Sequence, residues 1–167
     1  MILGFAHPAI VVKNLDRAIN FYCQAFGFRE LSEQFESWRD VPAIDAAIGL
    51  HDSAVRGRML AGHNCFLELF QFEKPVATGP APQELLAHEL GIRHLSFFVD
   101  DIETEYDRLV ALGASPLGTP QKSKGIPAVY LRDPEGNIVE LAEVPHPAED
   151  LRQLPGVNKL QGEDGGI

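Results

Sequence analysis

The chain repeats itself. The segment beginning at His7, HPAIVVKNLDRAINFYCQAFGF, returns from His94 as HLSFFVDDIETEYDRLVALGA. An offset of 87 residues places His7 on His94, Val12 on Val99, Asn14 on Asp101, Leu15 on Ile102 and Ile19 on Tyr106, and one deletion then brings Gly27 onto Gly113. Both copies must therefore form the same supersecondary unit. Each opens with an apolar run of about six residues, the pattern of a buried strand. Asn14 or Asp101 follows as a helix N-cap. Apolar residues then recur at helical spacing, as Leu15, Ala18, Ile19 and Tyr22 in one copy and Ile102, Tyr106, Leu109 and Val110 in the other. Gly27 and Gly113 stand where a left-handed C-cap belongs.

Strands complete each copy. Cys65 to Phe72 (CFLELFQF) places Phe66, Glu68, Phe70 and Phe72 on one face. In the second copy Ala128 to Leu131 leads through the turn Asp133-Pro134-Glu135-Gly136 to Ile138 to Leu141. The reading is a β-α-β-β-β module, twice. Neither module is large enough to bury a sheet face alone, so the two must pack together. The expected fold is α+β, two βαβββ modules packed together. Residues 1–144 make a single domain, with module one over 4–72, a linker over 73–91, module two over 92–144 and a tail over 145–167. The linker is expected to carry a short helix from Gln83 to Leu90, and Leu151, Leu154 and Leu160 to dock the tail. Module one is longer: His7 to Glu68 spans 61 residues, against 46 from His94 to Glu140. The excess falls between Gln34 and Ala61 and is expected to form a wall or lid over a site.

Four residues of ligand type occupy repeated positions. His7 and His94 each start a first strand; Glu68 and Glu140 each interrupt an apolar last strand, as FLELF and IVELA. A carboxylate there faces the interior unless something binds it. If the copies pair pseudo-symmetrically, the four converge. Two imidazoles and two carboxylates suit one divalent first-row ion: Ni, Co, Zn, Fe or Mn. His51, His63, His88 and His146 fall in loops or a short helix and read as ordinary surface residues. Cys23 and Cys65 belong to no CxxC pair, which excludes a cysteine zinc site, and read as buried reduced thiols. Net charge is −10, which excludes a general nucleic-acid or anionic-membrane binder. No run approaches 18 apolar residues and the first twelve have no basic leader, so a cytoplasmic protein is expected.

The sequence resembles the vicinal oxygen chelate superfamily, which contains glyoxalases, extradiol dioxygenases and bleomycin-resistance proteins. The resemblance covers residues 4–144. It rests on His7 with the NLDRAINFY helix, LELFQ around Glu68, IRHLSFFVDDI around His94 and RDPEGNIVEL around Glu140. It implies paired βαβββ modules forming an open, cup-shaped barrel around a metal held by His7, Glu68, His94 and Glu140. It also implies a small-molecule substrate offering two neighbouring oxygens, and a homodimer.

Several chemistries are compatible with that frame. A Lewis-acidic ion acidifies a C–H beside the chelated oxygens, and a carboxylate moves the proton. Glu140 or Glu68 would be that base, in a glyoxalase I-like or methylmalonyl-CoA epimerase-like reaction on a thioester or thiol conjugate. Such anionic substrates need a basic patch, for which Arg56, Arg58, Arg93, Lys122 and Lys124 are available. One alternative is an extradiol-type non-haem iron dioxygenase. Tyr130, Asp133, Pro134, Gly136 and Glu140 match the end of that signature, but Lys122-Ser123-Lys124 stands where it has a histidine; Tyr130 then reads as a strand residue lining the cup. Another alternative is a non-catalytic drug-sequestering resistance protein, whose relatives generally lack the quartet.

Overall fold

A computed structural model of the chain describes residues 1–31, 37–122 and 127–144. Module one contains β1 (Ala9–Val11), α1 (Leu15–Phe26), β2 (Arg29–Glu30), β3 (Trp38–Arg39), α2 (Pro42–Ile48), β4 (Ala54–Ala61) and β5 (Phe66–Lys74). Module two contains β6 (His94–Val99), α3 (Ile102–Ala111), β7 (Ser115–Pro116), β8 (Ala128–Arg132) and β9 (Ile138–Glu143). The sheets have the same order, β1-β5-β4-β2 and β6-β9-β8-β7, with β3 added beside β4. The two-module α+β fold expected from the repeat is the fold observed.

Local chemistry explains the helices. Asn14 accepts from the Arg17 amide at the start of α1, and Asp101 accepts from the Glu103 and Thr104 amides at the start of α3. Gly27 ends α1 at φ 67° and Gly113 follows α3 at φ 103°. The apolar stripe of α1 buries Leu15, Ala18, Ile19, Phe21, Tyr22 and Ala25. It lies in one cluster with Leu60, Leu67, Leu69, Leu109, Leu131, Val139 and Leu141, so both modules share a core. Each fully buried leucine contributes about 2–3 kcal/mol relative to exposure.

Two expectations are corrected. Ala54–Ala61 is not inserted; it is the strand equivalent to β8, and the extra residues precede it as β3 and α2. The motif Arg56-Gly57-Arg58 hid the strand, whose charges are paired within the module: Arg56 bridges Asp16 at 2.9 Å and the Arg58 Nε lies 2.9 Å from Glu30. The linker helix shrinks to a 3-10 turn at Pro82–Glu84, since Leu86 and Leu90 are exposed and have nothing to pack on. The tail residues Leu151, Leu154 and Leu160 lie outside the described residues.

The turn between β8 and β9 ties the modules together. Asp133 accepts from the Tyr22 hydroxyl at 2.9 Å, and from the Glu135 and Asn137 amides and the Asn137 side chain. Glu135 accepts from the Lys13 and Asn14 amides and pairs with Arg17. Arg132 donates to the carbonyls of Pro82, Leu85 and Gly136, which pins the linker. Gly136 has φ 98°, and a Cβ there would meet the Gln83 amide nitrogen at 2.6 Å. Gly136→Ala is therefore expected to lose about 2–3 kcal/mol of stability in a urea melt, from strain and overlap together.

Candidate metal centre

Strand register determines which side chains share a face. Glu68 pairs with Ala9 of β1 and Met59 of β4. The open face of sheet one therefore carries His7, Ala9 and Val11, then Val55, Gly57, Met59 and Ala61, then Phe66, Glu68, Phe70 and Phe72. Leu67 and Leu69 point the other way, into the core. Glu140 pairs with Ser96 of β6 and Tyr130 of β8. The open face of sheet two thus carries His94, Ser96 and Phe98 with Tyr130 and Glu140.

The structure brings the four predicted residues together as two pairs. His7 Nε2 lies 3.1 Å from Glu68 Oε2, and His94 Nε2 lies 3.2 Å from Glu140 Oε2. The pairs are near copies in exposure too: the histidines are about one-third exposed, the glutamates 16% and 18%. Two donors each about 2.1 Å from one ion, at right angles, stand roughly 3 Å apart. Each pair therefore has a spacing that two ligands of one ion would share. Within one chain the pairs stay separate: among the described residues no three His, Cys, Asp or Glu side chains gather as a metal cluster.

The surroundings of the pairs differ. The Tyr130 ring lies 4.9 Å from that of His94. Burial, and then the charge of Glu140, pushes the Tyr130 phenol up, which keeps it a neutral donor. In module one Met59 holds the equivalent place. A 620 Å³ cavity runs beside β6, between the end of α1 and the β4–β5 turn. Ser96 and Phe98 line it, as do His63 and Cys65, but neither His–Glu pair does. Cys65 is exposed, against expectation, because it stands in the turn before β5 rather than inside it.

Among the described residues, the basic candidates have other neighbours. Besides Arg56 and Arg58, Lys122 pairs with Glu103 at 3.3 Å. Arg93 lies by the linker beside Pro82, Leu85 and Asn137. Lys124 and His146 lie outside the described residues. His51 and His88 are exposed, as expected.

Residues 4–141 match the family model of the Glyoxalase/Bleomycin resistance protein/Dioxygenase superfamily. The chain belongs to this superfamily. The superfamily fold recurs in solved structures. A glyoxalase family protein from Bacillus cereus is 26% identical, with a TM-score of 0.76, over 86% of this chain and 95% of that one. The fosfomycin resistance protein FosX from Mesorhizobium loti is 21% identical, with a TM-score of 0.53, over 85% and 92%. A variant of FosX from Listeria monocytogenes, solved with Mn(II) and a dihydroxypropylphosphonic acid, is 18% identical, with a TM-score of 0.54, over 87% and 96%. None of the curated proteins compared by sequence matches the chain. No helix among the described residues is long and apolar enough to cross a membrane.

Proposed function

We propose that this superfamily member is a divalent-metal-dependent enzyme that abstracts and returns a proton beside two chelated substrate oxygens. The reaction class is isomerisation or lyase chemistry of the glyoxalase I or epimerase kind. The observation that carries this reading is the duplicated His–Glu pair, at repeat-equivalent positions and with matching spacing. A solvated surface histidine has no reason to recur with the same carboxylate partner in both halves. His7, Glu68, His94 and Glu140 would hold one Ni, Co, Zn, Fe or Mn ion. That ion would supply Lewis-acid polarisation of the two oxygens. The chain supplies the rest. Glu140 or Glu68, seated in an apolar sheet face, carries the proton. Tyr130 packs its ring, tilted, against that of His94.

The four residues complete one site when module one of one copy faces module two of a second. The pairs sit apart within the chain, on half-exposed faces, and a closed twofold dimer presents each to the other's complement. Mixing decides the point. Glu68→Ala and Glu140→Ala variants are each inactive in this reading. Subunit exchange between them rebuilds one intact site per mixed dimer, and roughly a quarter of wild-type metal binding and turnover returns on random mixing. No recovery in the mixture would place the site within one chain. Purified protein that binds no divalent ion would sink the enzyme reading in favour of ligand sequestration. Oxygen consumption with a catechol, in place of solvent-deuterium incorporation at a substrate carbon, would identify a dioxygenase.

A further inference from the structure

The inserted segment of module one builds something the repeat does not require. Trp38, on β3, pairs with Val55 and so joins the face that carries Glu68. Its ring meets Phe70 edge-on at 5.4 Å and Phe72 at 6.3 Å. Phe70 is the next residue after Glu68 on that face, roughly 7 Å along the strand. Gly57 lies opposite Phe70 and adds no side chain to the face. The indole is anchored from behind. Its Nε1 donates to the Ser53 hydroxyl at 2.6 Å, and Ser53 donates through both hydroxyl and amide to Asp45 of α2. The Ser53 hydroxyl bond holds the Asp45 carboxyl below its ordinary range. The whole of β3 and α2 therefore serves to fix one ring beside one half of the metal centre.

Charge bounds what that ring receives. Up to Phe72, the described residues that share the Glu68 face on β1, β4 and β5 include no lysine or arginine, and Lys74, beyond the irregularity in the β4–β5 register, pairs with Asp52 at 3.2 Å. An anionic group placed against this wall, such as a phosphonate, would meet aromatic carbon and the Glu68 carboxylate, with no lysine or arginine among the described residues of that stretch of the face to balance it. We infer that Trp38 is a specificity-determining residue: it receives a flat, uncharged group attached to the chelating oxygens, against Phe70 and Phe72. This inference rests on the metal-site reading, and the two can fail separately.

Two chelators with the same head and different bodies test it. Benzohydroxamate and acetohydroxamate are titrated into Mn(II)-loaded full-length protein, followed by calorimetry and by emission of Trp38, the single tryptophan of the chain. The expected result is about tenfold tighter binding of benzohydroxamate, with Trp38 quenching that acetohydroxamate does not cause. Trp38→Ala is expected to bring the two affinities to parity by weakening only the aromatic ligand, while Trp38→Phe keeps most of the preference. Ser53→Ala, which frees the indole without removing it, should narrow the preference in part. Equal affinities in the wild type, a preference that survives Trp38→Ala, or a Trp38 already covered by a second copy and blind to ligand would overturn the assignment and leave the metal site standing. Failure of both hydroxamates to bind in a metal-dependent way would instead remove the metal reading. In that case 2-naphthol against cyclohexanol on metal-free protein decides: naphthol binding lost in Trp38→Ala retains the aromatic wall, and no binding removes it.

Discussion

Glu140→Ala is expected to lower divalent-metal affinity by more than about 100-fold and turnover by more than about 1,000-fold, without loss of fold. The carboxylate is one half of a 3.2 Å pair with His94, and alanine leaves that histidine with no partner ligand from its own module. The fold survives because Glu140 contributes nothing to the core: its face is the open one, while Val139 and Leu141 on either side are buried. Metal content and turnover of Glu140→Ala and Glu68→Ala, measured side by side, also assign the base. The glutamate whose loss costs turnover far more than it costs metal affinity is the proton carrier; the one whose two losses match acts as a ligand alone. If Glu140→Ala holds metal and turns over at wild-type rates, the site lies elsewhere.

Asp133→Ala is expected to be the most destabilising single change among the polar residues, at about 3–5 kcal/mol, a fall in Tm on the order of 10 °C. It strands the hydroxyl of Tyr22, which has no exposed surface, and frees three donors of the turn itself. That hydroxyl makes one of the bonds between α1 of module one and the hairpin of module two, beside the Arg17–Glu135 pair, so the loss acts on module docking. Burial holds the Asp133 carboxyl above its ordinary range, although the hydrogen bonds it accepts pull the other way. An acid raised in the folded state binds its proton more tightly there than in the unfolded chain. The contribution of Asp133 is thus largest below the unfolded carboxyl pKa near 4, and declines as pH rises through the raised folded value. Urea melts of wild type and Asp133→Ala should show the stability gap narrowing from about pH 4 upward; a widening gap would refute the assignment.

The RDPEGN motif illustrates how far sequence carries. Its Asp-Pro and Gly spacing reads as a hairpin turn, and the turn is there: the Gly136 amide donates to the Asp133 carbonyl at 2.9 Å. Its larger role, joining Tyr22, Arg17 and the linker, depends on contacts between residues 47 to 118 apart in the chain. No local pattern encodes such contacts. Trp38 is similar. Its place in the extra residues of module one marks it as wall or lid, whereas its anchoring by Ser53 and Asp45 appears only once α2 folds beside β4.

Sequence alone did not determine β4 or the linker turn, but it determined the two modules, helices α1 and α3, strands β1, β5, β6, β8 and β9, and the four ligand-type residues at repeated positions. These follow from periodicity, capping and repetition, which are short-range and survive in a linear string. It did not determine that Glu68 and Glu140 share a face with their histidines, because that depends on the β1–β5 and β6–β9 registers between strands far apart in the chain. Tertiary structure alone decided how those residues are grouped. Pseudo-symmetry predicts four converging side chains, but the way α1, α3 and the Asp133 turn dock the modules leaves two separate pairs on two open faces. That outcome is set by the shared core and by buried long-range hydrogen bonds, whose free energies depend on packing geometry that a repeat in sequence does not specify.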